Sequence, residues 1–151
     1  MTRLDGLQPK FRNRIEAALG RMSSDTELHA LGVAEVLVAE GLRPLPTQMA
    51  YYSRGRMEPG DVRAMYAAAG LYRPTDEEVA KPCTWTLKSR HLDGLAADLV
   101  PSRDGKSMWW TAPAAVWARM GEIGQGFGLD WGGTWPDRQK DSPHFQAKGE
   151  A

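Results

Sequence analysis

Ser89-Arg90-His91-Leu92-Asp93-Gly94-Leu95-Ala96-Ala97-Asp98 and Asp141-Ser142-Pro143-His144-Phe145-Gln146 are the two stretches that decide how this chain folds. His91 and Asp98 stand seven residues apart. On a continuous strand an odd separation sends two side chains to opposite faces. On a helix the pair shares a face but lies about 10 Å apart along the axis. Neither element lets them meet, so the chain has to bend between them, and Gly94 is the residue that can bend. His91 is then expected before the bend and Asp98 inside a strand, with Ala96, Asp98 and Val100 on one face. Pro143 disfavours helical geometry at Ser142, which puts Asp141 and His144 in an extended or turned segment supplied by a neighbouring strand.

Two imidazoles and one carboxylate make a three-ligand set for zinc with a fourth position left for water. Asp141, three residues before His144, would be a proton acceptor beside that water. The same residues could instead be a hydrogen-bonded surface pair with a capping aspartate, and spacing alone leaves both readings open. His29 has no ligand neighbours and reads as structural.

Outward from these stretches, 151 residues make one domain, expected over 1–151 with a flexible tail from about 147. A chain of this length buries roughly two-thirds of its unfolded surface without staples. Lys plus Arg and Asp plus Glu both total 19, so no basic excess points to nucleic acid. The single cysteine, Cys83, cannot form an internal disulfide. The N-terminal residues show no apolar run of signal-peptide length, and no stretch approaches the roughly 20 apolar residues of a membrane span. Synthesis in the cytoplasm is the expectation.

Pro9 opens a helix through about Met22, with Phe11, Ile15, Ala18, Leu19 and Met22 on one face. Val36–Val38 suits a short strand ending at Gly41, with a helix over 34–40 as competitor. Helices are expected at about 47–54 and 61–69, and a charged loop over 71–83. Thr84–Leu87 and Ala96–Val100 have strand character, the second ending at Pro101. Pro113 begins a helix carrying Val116, Trp117, Met120 and Ile123, which the glycines at 124, 126 and 128 end. Leu129–Trp131 is a short strand before a Gly132-Gly133 turn. The fold class is α+β, with helices gathered early and strands late. The six tryptophans all fall after residue 84; Trp117 reads as core, and none is given a site role. The glycine run at 124–128 lacks the strand–loop–helix setting of a phosphate loop.

The pattern Ser89-x-His91-x-x-Gly94-x-Ala96-x-Asp98, followed by Asp141-x-Pro143-His144-Phe145, resembles the zinc D-alanyl-D-alanine carboxypeptidases and phage L-alanyl-D-glutamate endopeptidases. Their fold is shared by the zinc-bearing signalling domain of hedgehog proteins. Glu40-Gly41-Leu42-Arg43-Pro44 with Gln48 is similar to the family segment whose arginine and glutamine face the substrate. Tyr51–Arg56 and Trp131–Trp135 are similar to further family segments, so the resemblance runs over about 7–147. It implies a small antiparallel sheet carrying one zinc ion on His91, Asp98 and His144, flanked by helices. It implies catalysis by Asp141 and Arg43, with Gln48 and Ser89 binding substrate.

Aspartate three before the last histidine, followed by Pro-His-Phe, resembles the phage endolysin branch. The expectation is a monomeric peptidase that cuts the peptidoglycan stem peptide at L-alanyl-D-glutamate in the periplasmic wall, reached with the help of a separate membrane-permeabilising phage protein. A D-alanyl-D-alanine carboxypeptidase, or a zinc domain that binds wall or partner without turnover, are the alternatives. The stretch 60–83 is longer than the usual family connection.

Overall fold

The computed structural model describes residues 3–84 and 89–149. The chain folds as two compact units, Met1–Leu42 with Asp93–Ala151, and Arg43–Leu92.

In the first unit, α1 (Pro9–Ser23) begins with proline, whose missing N–H costs nothing in the first turn. Phe11, Ile15, Ala18 and Met22 form its buried face, as their spacing predicts. A short α2 (Thr26–Ala30) leads to β1 (Glu35–Glu40), so the strand reading of 36–38 holds and the helical competitor fails. The chain returns to this unit for β2 (Ala96–Ser102), α6 (Ala114–Gly126), β3 (Leu129–Trp131) and β4 (His144–Ala147). The strands form one antiparallel sheet in the order β1-β2-β4-β3. Ala97, Leu99 and Phe145 turn into a core shared with Phe11, Ile15, Val116 and Met120. Asp98, one position out of phase with Ala97 and Leu99, projects from the other face.

Three sequence expectations change here. β2 runs through Pro101 to Ser102 rather than stopping at the proline. Pro101 pairs with Val36, while β4 pairs only with Ala96–Asp98. The proline therefore sits where the ladder to β4 has already ended, the position at which a missing N–H is tolerated. Ala147, expected at the start of a flexible tail, is in β4 and donates its N–H to the Leu95 carbonyl at 2.9 Å. Gly124 lies inside α6, whereas the helix does end at Gly126, with Gly128 beyond the Phe127 cap at φ +79°. A Cβ on Gly124 would stand 2.3 Å from the Phe145 ring, so glycine here lets the helix press directly on the strand that carries His144.

Asp25 ties α1, α2 and α6 together. It is 1% exposed, accepts the Leu28 N–H at 3.0 Å as the cap of α2, and pairs with Arg21 at 2.8 Å and Arg119 at 2.9 Å. The Arg119 hydrogen bond, with help from Leu28 and Arg21, outweighs burial and holds the carboxyl well below the usual carboxylate range. A depressed native value means the stabilisation is present above the unfolded-state pKa, near 3.9, and is lost as pH falls below it. Asp25→Ala is expected to cost about 3 kcal/mol in urea unfolding at pH 7, with the gap to wild type shrinking steadily below about pH 4.

In the second unit, α3 (Leu45–Ser53), α4 (Pro59–Ala68) and α5 (Asp76–Ala80) pack through Ala50, Val62, Tyr66 and Val79. Helix α5 falls inside the expected loop over 71–83. Its signal is Thr75-x-x-Glu78, a reciprocal capping box in which Thr75 Oγ1 accepts from Glu78 N–H at 3.1 Å and Glu78 Oε1 accepts from Thr75 N–H at 3.0 Å. Of the strand expected over 84–87, only Thr84 is among the described residues, and it is not in a strand.

Candidate metal centre

β2 and β4 place Asp98 directly opposite His144 in the antiparallel register. His144 Nδ1 stands 3.6 Å from Asp98 Oδ1 and 3.7 Å from Asp141 Oδ2. These separations are too long for good hydrogen bonds, but a pair of donors each about 2 Å from one ion stands at most about 4 Å apart.

His91 arrives on a 3-10 turn, Arg90–Asp93, and is 2% exposed. Its N–H donates to Ser89 Oγ at 3.2 Å, and its carbonyl accepts the Arg43 N–H at 2.9 Å. The bend expected at Gly94 is there: φ is +70°, and an added Cβ would lie 2.5 Å from the Gly6 carbonyl oxygen. No other residue fits that turn.

The outcome is a cluster of His91, Asp98 and His144 in which each side chain offers one ligand atom and all three atoms lie within 4.8 Å of one another. Two imidazole nitrogens and a carboxylate oxygen are a zinc donor set. The groups behind the donors fit as well. His144 Nε2 lies 2.9 Å from Gln146 Oε1. That partner places the ring proton on Nε2 and leaves Nδ1 for an ion. Burial opposes the charged form of His144, yet Asp98, Gln146 and Asp141 outweigh it and raise the imidazole above its ordinary value. The same carboxylates make this a place where positive charge is welcome. Gln146→Ala is expected to weaken zinc binding by about tenfold, read by competition with a chromophoric chelator.

The loop before His144 is held from several sides. Asp141 N–H donates to the Gly132 carbonyl at 3.0 Å, His144 N–H to the Asp141 carbonyl at 3.1 Å, and Leu99 N–H to the Pro143 carbonyl at 2.8 Å. A Cβ on Gly132 would come within 2.3 Å of the Asp141 carbonyl oxygen, so the turn closes only around glycine. Trp131 Nε1–H donates to the Ser142 carbonyl at 2.7 Å, and the Trp135 ring lies 4.8 Å from the His144 ring between centroids. The sequence reading gives no tryptophan a site role, yet these two clamp the loop and its histidine. Their signal is the Trp131-Gly132-Gly133-Thr134-Trp135 phrase itself, which brackets the tight turn.

Arg43, Gln48 and Ser89 gather within the second unit. Arg43 Nη1 is hydrogen-bonded to Gln48 Oε1, and its guanidinium lies 5.0 Å from the centre of the Tyr51 ring. Gln48 is fully buried and donates from Nε2 to Thr84 Oγ1 at 3.2 Å. Its amide therefore orients Arg43, and Ser89 shapes the turn that presents His91. His29, on α2, is exposed and takes no part.

This fold and this donor set define the class: a small antiparallel sheet presenting a His-Asp-His centre. The model of the D-alanyl-D-alanine carboxypeptidase family matches residues 83–147, the segment that holds all three donors and Asp141. The Serratia marcescens L-Ala D-Glu endopeptidase ChiX superposes with a TM-score of 0.57 at 24% identity, covering 96% of this chain and 83% of that one. A mutant of the vancomycin resistance D,D-pentapeptidase VanY from a VanB-type cassette, in complex with Zn(II), superposes with a TM-score of 0.53 at 17% identity, over 95% and 73% of the two chains. No curated protein sequence matches the chain. The segment that carries the three donors and Asp141 is thus similar to the D-alanyl-D-alanine carboxypeptidase family, and the two solved structures share the fold.

Proposed function

We propose that this zinc peptidase is an endolysin-type enzyme that hydrolyses the L-alanyl-D-glutamate bond of the peptidoglycan stem peptide, with His91, Asp98 and His144 holding the metal. The observation that carries the reading is the His-Asp-His cluster, both of whose histidines are buried, with the half-exposed Asp141 carboxylate 3.7 Å from His144 Nδ1. An abandoned catalyst would have no use for that fourth acid, which disfavours a domain that only binds. When bound, the ion supplies Lewis-acid chemistry, acidifying water and polarising a carbonyl.

The chain's own residues divide the remaining work. Asp141 takes the proton of the attacking water and returns it to the leaving nitrogen. Arg43, held by Gln48 and joined through its backbone to the His91 turn, offers its guanidinium to the developing oxyanion. Ser89 shapes the rim of the substrate site beside His91.

The scissile bond is inferred from the Asp141-x-Pro143-His144-Phe145 phrase and from the likeness to ChiX, itself an L-Ala D-Glu endopeptidase. The second reading, a D-alanyl-D-alanine carboxypeptidase, is favoured by the family description and the likeness to VanY. Among the described residues no helix is long and apolar enough to cross a membrane. In the endolysin reading a separate phage protein opens the way to the wall. Digestion of purified muropeptides followed by mass spectrometry tests the bond. Release of the peptide from D-glutamate onward supports the endopeptidase, whereas freed terminal D-alanine establishes the carboxypeptidase.

A further inference from the structure

The first unit carries a second concave site that the peptidase reading leaves unused. The loop that follows β2 borders an open cleft of about 480 Å³ lined by Arg103, Asp104 and the segment Ser107–Thr111. Trp110 is 55% exposed, a costly placement for the largest apolar side chain. The Arg103 guanidinium covers the Trp109 ring at 4.5 Å from its centre.

The loop is built to hold this shape. Asp104 Oδ1 accepts the N–H groups of Lys106 and Ser107, both at 2.8 Å, and the Ser102 hydroxyl at 3.1 Å. Ser102 Oγ in turn accepts the Gly105 N–H at 2.9 Å. Trp109 N–H donates to the Pro101 carbonyl at 2.8 Å, anchoring the aromatic pair to β2. A half-exposed indole in a cleft that a guanidinium, a carboxylate and hydroxyls also line is what a pyranose ring needs. Its axial C–H groups pack on the indole, and its hydroxyls and acetamido groups meet the polar edge. The mixed charge of Arg103 beside Asp104 suits a polar neutral ligand better than a polyanion.

We infer that the Trp110 cleft binds the amino-sugar glycan strand of the wall while the metal centre works on the peptide attached to it. This inference rests on the proposed peptidoglycan substrate. The loop that carries the cleft begins at Ser102, on the strand that carries Asp98, about 13 Å along β2 at 3.3 Å per residue, so the cleft and that donor belong to one unit. A stem peptide is joined to its sugar through L-alanine, so a cut near that end brings glycan within such a distance.

Isothermal titration of the zinc-loaded full chain with peptide-free glycan strands tests the cleft, alongside cleavage of a sugar-free stem peptide. Wild type should bind the strands and Trp110→Ala should bind them about fivefold to tenfold more weakly, with kcat/KM on the sugar-free peptide unchanged within about twofold. Absence of binding by wild type would overturn the inference. So would equal binding by both proteins, or a parallel loss of peptide cleavage in Trp110→Ala. Failure of wild type to cleave the peptide would instead strike the peptidase reading, and the titration would still decide the cleft.

Discussion

Asp141→Ala lowers kcat on the stem peptide by about 10²- to 10⁴-fold, while zinc content and KM stay close to wild type. The separation of effects follows from where Asp141 stands. Its carboxylate is half-exposed on a loop outside the three-donor cluster, and backbone bonds through Gly132, Pro143 and the Asp141 carbonyl hold that loop. Removing the acid therefore removes a proton acceptor and leaves the cluster assembled. Asp141→Asn keeps the shape and removes the basicity, so it should be nearly as impaired. Wall turbidity and single-peptide kinetics, with metal analysis of each variant, check both. Lysis by Asp141→Ala at the wild-type rate would remove Asp141 from the chemistry.

His91→Ala and Asp98→Ala are expected to take zinc from one equivalent per chain to a small fraction, and activity with it. Partners that merely orient a ligand cost 10- to 100-fold in affinity when removed, and loss of a ligand exceeds that. Added zinc should raise the Tm of wild type, because an ion that binds only the folded chain stabilises it by mass action. It should leave these two variants unmoved. Differential scanning fluorimetry with and without zinc reads the difference. A Tm rise in His91→Ala as large as in wild type would show that the ion is held elsewhere.

The geometry around the cluster is legible in sequence because it is over-determined. A seven-residue gap that neither helix nor strand can close, with Gly94 inside it, leaves a bend as the answer, and the chain bends there with φ +70°. Pro143 excludes a helix before His144, and β4 begins at that histidine. What stays hidden depends on contacts distant in sequence. Gly124 looks like a helix stop until the Phe145 ring is seen against it. Pro101 looks like a strand end unless it is known that β4 has already left the ladder. Trp131 and Trp135 look like ordinary packing, because nothing local says that one reaches Ser142 and the other lies against His144. Helix α5 is a different failure: its Thr75–Glu78 capping box is local and readable, but the surrounding charge and prolines suggest a loop.

Anomalous diffraction at the zinc edge from crystals of the loaded protein is the most direct probe of the shared ion. A single peak should lie about 2 Å from His144 Nδ1, a carboxylate oxygen of Asp98 and a ring nitrogen of His91, with Asp141 outside bonding distance. A peak that omits any of the three donors, or side chains of His91 and His144 turned to different surfaces, would contradict a common metal centre.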